Sequence, residues 1–467
     1  MKILRWIGLT FVALIVAVAL FLFAARFSDG PIEIIAGGPF TTGEMQSGAE
    51  PDWSFVRDTQ TVQFQLMDPD RSRTTWIVEH EGKAYIPSGY MTTWWGKIWK
   101  KWPIEAEKDG RIVLVGGPGT LPEAVRGVSA DNRLVIPGGI DPHIHSSWPI
   151  PALDEGGEVK LTDGPDVVSR AAIHGGTTTL LDFAPWRHGL TIEEAVAIRK
   201  QDWTGNCHTD YGYHIMLQGA IPPEILPQIG EAIQEGYPSI KIFTTDITPS
   251  RKGRKITHGH IWEIFKVLAR EGCIGAIHAE DDEIVMHMYD VLEREGRSGF
   301  ENMAEVHNAM SEDLSFRRII RLAEHVEGTA LYMMHVSAAT GVAAIEAARA
   351  RGTPIYGETL HQYLMFTHEH YRRPNGQIYH TYPSLKTEAD QEALWQATQD
   401  GTIHCIATDE LCCRLSVKTQ GQRIDDTTGG NSGVEPPLAV MYQELFTSGG
   451  YSLSQCADPL PANAARP

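Results

Sequence analysis

From about residue 133 onwards, short apolar runs alternate with helical stretches, and this alternation constrains the fold more than any other feature of the chain. Strands separated by helices return in the same direction, so the pattern calls for βα units around a parallel sheet. Eight strands are read: LVIPGGID (134–141), TTTLLDF (177–183), DYGYHIML (210–217), SIKIFTT (239–245), IGAIHAE (274–280), ALYMMHVS (330–337), TPIYGETL (353–360) and IHCIATDE (403–410). Between them lie helical segments such as PPEILPQIGEAIQEG, SEDLSFRRIIRLAEHVEG and ADQEALWQATQDG, each closed by a glycine in the C-cap place. Eight such units over about 310 residues fit a (β/α)8 barrel of the TIM type. A doubly wound sheet would open its first βα turn with a Gly-rich phosphate loop, which this chain lacks.

In such a barrel the chemistry sits at the C-terminal ends of the strands. Read in order, those ends carry His143 and His145, then Lys241, His278, His335 and Asp409. Taken singly, each has a bland explanation: a satisfied core histidine, a snorkelling lysine, a capping aspartate. All six falling on one rim is harder to explain that way. Imidazole nitrogens and carboxylate oxygens suit a borderline metal such as zinc. Four histidines and one aspartate are thin for two metals, and an ordinary ammonium cannot supply the missing anion.

The spacing His-x-His alone proves little. With 19 histidines in 467 residues, roughly one such pair arises by chance. The chain has three: His143/His145, His258/His260 and His368/His370. Only the first follows an apolar strand, where residues i and i+2 share a face. The second opens a helical stretch and the third lies in polar THEHYRRPNG, so both are read as surface or capping residues.

Charge and composition set outer bounds. Hydrophobic residues make up 42% and charged residues 21%, ordinary for a globular protein. A net charge of −19 argues against nucleic acid and anionic membrane surfaces as partners. Six cysteines show no CxxC pair, so they are read as buried thiols.

The N-terminal third reads differently. Residues 7–25, IGLTFVALIVAVALFLFAA, carry no charge and are long enough for a single-pass helix, so a membrane anchor over 1–29 is expected. Lys2 and Arg5 precede it and favour an inside N-terminus. Residues 30–115 read as a small Trp-rich α+β segment, with a hairpin turning at Glu81-Gly82-Lys83. The barrel would then occupy 116–467.

The motifs GGIDPHIH, GYPSIKIFTT, AIHAEDD, MMHVSAATG, YGETLHQYL and IATDE, in this order, resemble the dihydropyrimidinase/hydantoinase branch of the amidohydrolase superfamily. The resemblance runs over about 131–465. It implies two divalent metal ions, zinc by preference, with His143 and His145 on the more buried one and His278 and His335 on the other. It also implies that CO2 carboxylates Lys241 to a carbamate that bridges both ions. Asp409 would ligate the first ion and carry a proton from the bridging hydroxide to the leaving nitrogen. A small cyclic amide, hydantoin-like or dihydropyrimidine-like, would open to an N-carbamoyl amino acid. A homotetramer and a cytoplasmic setting are also implied, the latter at odds with the orientation drawn from the flanking charges.

Some positions depart from the family pattern. Ser146 and Ser147 stand where dihydroorotases place an arginine. Thr244, Thr245 and Asp246 stand where hydantoinases place an oxyanion-stabilising tyrosine, and Asp409-Glu410 replaces the usual Asp-His. The chain stops at NAARP, about where the family's last flanking strands begin, so an incomplete flanking β-domain is expected. These departures keep a second possibility open, a non-catalytic, membrane-anchored barrel serving as a binding module.

Overall fold

All eight expected strands form: β1 (Gly139–Asp141), β2 (Thr177–Pro185), β3 (Asp210–Met216), β4 (Ser239–Phe243), β5 (Ile274–His278), β6 (Ala330–Met333), β7 (Ile355–Leu360) and β8 (Ile403–Ala407). The structure, a computed structural model, describes residues 136–150, 152, 157–452 and 458–463, and the backbone of 61–67, 70–76, 78–80 and 83–85. The strands pair in sequence order, β1 beside β2 through to β8, and every pairing is parallel. The ring is joined at its rim. Ile144 and Glu410 form a parallel bridge just beyond β1 and β8. There the His145 N–H donates to the Glu410 carbonyl at 2.7 Å and the Glu410 N–H to that of His143 at 3.3 Å. The barrel therefore closes on the residues expected to carry its chemistry.

All five residues of β4 are buried, as a strand covered on both faces requires. The longer helices between the strands are α1 (Pro165–His174), α2 (Ile192–Trp203), α3 (Ile225–Gln234), α4 (His258–Glu271), α5 (Asp282–Arg294), α6 (Ala309–Glu324), α7 (Ala339–Ala350) and α8 (Glu388–Asp400). Their ends follow from local chemistry. Thr191 and Glu194 form a reciprocal capping box that starts α2. Gly272, at φ +72°, ends α4 in a left-handed turn that a side chain would resist. Ile261, Ile264, Phe265 and Leu268 point α4 into the core.

A buried ionic knot ties α2 to the segment after β1. The fully buried Asp182 carboxylate accepts hydrogen bonds from Ser146 Oγ at 2.8 Å and Trp203 Nε1 at 2.9 Å, and also pairs with the Arg199 guanidinium. Arg199 in turn donates to the Ser146 carbonyl. Arg199→Ala would strand a buried carboxylate, so a loss of about 3–5 kcal/mol is expected, read as a shifted midpoint in urea unfolding. An unchanged midpoint would mean that water reaches Asp182.

The expected membrane anchor needs correction. Among the described residues no helix is long and apolar enough to cross a membrane. The longest labelled helix, α6, has 16 residues where about 20 apolar ones are needed, and it carries charge along its length. The barrel's apolar side chains turn inward to the core instead. The apolar run 7–25 lies outside the described residues, so neither a membrane location nor a membrane partner is supported.

The chain divides between residues 131 and 132. In the first unit, strands 78–80 and 83–85 pair antiparallel with His80 opposite Lys83, matching the expected hairpin. A second hairpin joins 61–67 to 70–76. The other two His-x-His pairs sit at the starts of helical segments. His258 and His260 sit in the first turn of α4. His370 accepts the Thr367 N–H at 3.2 Å, a capping contact.

Candidate metal centre

Past β1 the backbone stays extended, which turns His143 and His145 to the same side. Both Nε2 atoms reach one oxygen of Asp409, at 3.1 and 3.2 Å. The ligand atoms of these three residues lie within 4.8 Å of one another, a spacing that a single ion could span. Lys241, in the middle of β4, is 1% exposed. Its Nζ points to Met334 Sδ at 2.8 Å and stands 5.2 and 5.3 Å from the centroids of Phe183 and Phe243. His278 ends β5 and His335 follows β6; their rings meet edge-on at 4.5 Å, and His335 lies 5.5 Å from His143. All six residues line one cavity of about 330 Å³. The structure thus brings the whole expected set together.

Backbone strain concentrates here. His335 and Asp409 adopt φ of +41° and +50°, a left-handed conformation that costs about 1–3 kcal/mol in a non-glycine residue. Each residue lies just beyond the end of its strand and lines the cavity.

Carboxylates behind the histidines set their orientation. Glu358, on β7 and fully buried, takes His143 Nδ1 at 2.8 Å, the His335 N–H at 3.0 Å and the Tyr332 hydroxyl at 2.8 Å. His143 is thereby aimed with Nε2 towards the cavity, the carboxylate–histidine arrangement that supports metal ligation. Glu280 accepts from His278 Nε2 at 3.2 Å and from His307 Nδ1 at 3.0 Å, which leaves His278 Nδ1 for the cavity. Asp141 joins β1 to the Asp409 segment by accepting the Thr408 hydroxyl at 2.5 Å and the His143 N–H at 3.2 Å. None of these three acids stood out in the sequence. Glu358 lay in the quoted YGETLHQYL, but a single acid within a strand carries no spacing signal.

The residues fit metal ions. Burial holds the His145 and His278 imidazoles down to about 4, and His335 well below its ordinary value, so all three keep free lone pairs at neutral pH. Burial also acts on His143, but the Glu358 and Asp409 carboxylates outweigh it and raise the ring to about 9, so this spot attracts positive charge. Burial would raise Asp409, yet His143 and His145 hold it well below the carboxylate range, and it stays ionised. His145 Nδ1 is buried without a hydrogen-bond partner among the described residues. Burial pushes Lys241 down to about 8, against the pull of Asp409 and Glu358. A substantial neutral amine fraction is what reaction with CO2 requires.

The departures from the family pattern have structural jobs. Thr244 donates to the Glu280 carbonyl at 2.7 Å, and Thr245 bonds Asp282 at 3.2 Å. Asp246 accepts three backbone N–H groups of the following loop. Glu410 accepts the Gly433 and Val434 N–H groups at 2.5 and 2.9 Å and does not line the cavity. Cys412 and Cys413 are partly buried free thiols.

No protein-family model matches the chain. The D-hydantoinase of Geobacillus stearothermophilus is 28% identical over 367 residues, covering 77% of this chain and 74% of the relative. That of Streptomyces coelicolor is 29% identical over 353 residues, or 72% of each chain. Among solved structures, dihydropyrimidinase from Brevibacillus agri superposes with a TM-score of 0.66 at 26% identity, covering 71% of this chain and 70% of that one. The fold, the rim residues and these relatives agree: the chain is a homologue of the hydantoinases and dihydropyrimidinases, in the amidohydrolase branch that its motifs resemble.

Proposed function

We propose that this chain is a cyclic amidohydrolase that opens a hydantoin-like or dihydropyrimidine-like ring to an N-carbamoyl amino acid. The convergence of His143, His145 and Asp409 in a cavity shared with Lys241, His278 and His335 carries this reading. The names of its relatives agree with it. His143, His145 and Asp409 would hold one divalent ion, zinc by preference, and His278 and His335 a second, with a carbamate on Lys241 shared between them. When bound, such ions acidify water and polarise a carbonyl.

The chain's own residues do the rest. Asp409, ionised and steadied by the Thr381 hydroxyl at 2.6 Å, takes the proton of the attacking water and returns it to the ring nitrogen as the C–N bond breaks. Glu358 and Glu280 keep the imidazoles aimed. Trp148, Ile150 and Tyr382 narrow the cavity around a small ring.

The test is elemental analysis of protein purified with bicarbonate and zinc, alongside ring opening of hydantoin and dihydrouracil. About two zinc ions per chain and hydrolysis of at least one ring are expected, and chelation should abolish that hydrolysis. A folded sample that takes up no metal would overturn the proposal.

A further inference from the structure

The cavity has a second chemistry on its wall. Although the chain carries a net charge of −19, the loop between β4 and α4 places Arg251 and Arg254 against the cavity. The Arg254 guanidinium lies 5.7 Å from the centroid of Phe243, and the same ring lies 5.3 Å from Lys241 Nζ and 5.5 Å from the His278 ring. One phenyl ring thus separates this arginine from the candidate metal centre. Arg251 lies 5.2 Å over the ring of Tyr382, another cavity residue.

Neither guanidinium has a hydrogen-bond or ion-pair partner among the described residues. The described acids around them are occupied. Asp246 Oδ1 accepts the N–H groups of Gly253, Arg254 and Lys255 at 3.0, 2.9 and 2.8 Å, which fixes the loop beneath the arginines. Asp425 pairs with Arg423 at 2.8 Å, and Asp426 accepts the Arg423 N–H at 2.7 Å. Asp409 belongs to the metal centre. Arg187 and Lys252 share an adjoining cleft with both arginines and add positive charge. Burial and the neighbouring Arg251 charge push Arg254 down to about 9, so it stays protonated at neutral pH, yet no described residue supplies its anion. A solvated surface arginine would be the plain alternative, but both residues are half-buried and stacked on rings of the cavity wall. A planar guanidinium held in this way is prepared for a carboxylate.

We propose that Arg251 and Arg254 form an anion subsite, and that the ring this chain opens carries a carboxylate on its ring-carbon substituent. The proposal rests on the amidohydrolase reading above. The reaction balances as before. The water oxygen bonds to the ring carbonyl carbon, the ring C–N bond breaks, and the proton passes through Asp409 to the leaving nitrogen. The product is an N-carbamoyl amino acid with a second carboxylate.

The test uses the full-length, zinc-loaded protein and two rings of equal shape: a hydantoin bearing a carboxymethyl group on its ring carbon, and the corresponding carboxamide. Binding by calorimetry and kcat/KM are both measured. The acid is expected to bind about 10- to 100-fold tighter than the amide, a gap that narrows as salt is added. Arg251→Gln with Arg254→Gln should close the gap, and Arg254→Lys should keep part of it. Equal binding of acid and amide to the unaltered protein overturns the subsite, and that comparison needs no variant to fold. A gap that survives the double substitution in a folded, metal-loaded protein also overturns it. Hydrolysis of both rings at equal kcat/KM leaves the amidohydrolase reading intact and sinks the subsite. An arginine-dependent gap with neither ring hydrolysed does the reverse.

Discussion

Replacing Lys241 by alanine is expected to strip metal from the rim and abolish ring opening. Lys241 is buried, its Nζ faces a methionine sulfur and two phenyl rings, and among the described residues it has no ion-pair partner. A permanent ammonium there would repel cations gathered by His143, His145, His278 and His335. A carbamate would instead supply the anion that two adjacent cations need. Metal content should fall from about two ions per chain to below one. Hydrolysis should fall by about a thousandfold or more, since metal polarisation supplies several kcal/mol of transition-state stabilisation. Lys241→Met separates chemistry from packing, because it fills a similar volume beside Met334 and should lose metal while keeping the thermal midpoint. Acetate, small enough to enter the space left in Lys241→Ala, is expected to restore part of the metal content and part of the rate. If Lys241→Met binds two ions as tightly as the unaltered chain, Lys241 is a packing residue and the bridge does not exist.

The fold was legible because its signal is long and periodic. Eight apolar runs, each followed by a helical stretch, leave few topologies, and the strands form where those runs lie. The rim set was legible for a related reason: strand ends are marked by where the apolar run stops, so His143, His278, His335 and Asp409 could be placed on one side of the sheet, while Lys241 stood out as the lone charge inside an apolar strand. Glu358 was not legible in that way. It sits inside β7, and only the closed barrel turns it towards His143 and the backbone of His335. Arg251 and Arg254 were hidden for another reason. They lie on a loop, whose path depends on Asp246 gathering three backbone N–H groups and not on any hydrophobic period. Where the tyrosine was expected, Thr244 and Thr245 bond the Glu280 carbonyl and Asp282, and Asp246 holds that loop. The apolar run at the N-terminus lies outside the described residues and gives a different kind of signal. Hydropathy alone reports that a segment avoids water, and a membrane is one of several places that satisfies it.

Asp409→Asn should leave the cavity standing and remove its base. Asparagine keeps the shape and an oxygen that can still accept from Thr381, now 2.6 Å away, so folding and the bridge between residues 144 and 410 should persist. It cannot accept the proton of an attacking water. The native carboxylate is well suited to that step, because His143 and His145 hold it ionised despite its burial. A fall in kcat of about 10²- to 10⁴-fold is expected, with KM little changed and metal content only partly reduced, since an amide oxygen is a weaker ligand than a carboxylate. The pH profile separates the two roles. If Asp409 is the base, the acid limb of kcat should vanish in the variant, while loss of metal alone would scale the whole profile down without reshaping it. A variant with full metal content and an intact acid limb would place the base elsewhere. No other cavity carboxylate is free to serve among the described residues, because Asp425 and Asp426 are both engaged by Arg423. The base would then have to be one of the imidazoles, and the metal assignment would lose a ligand with it.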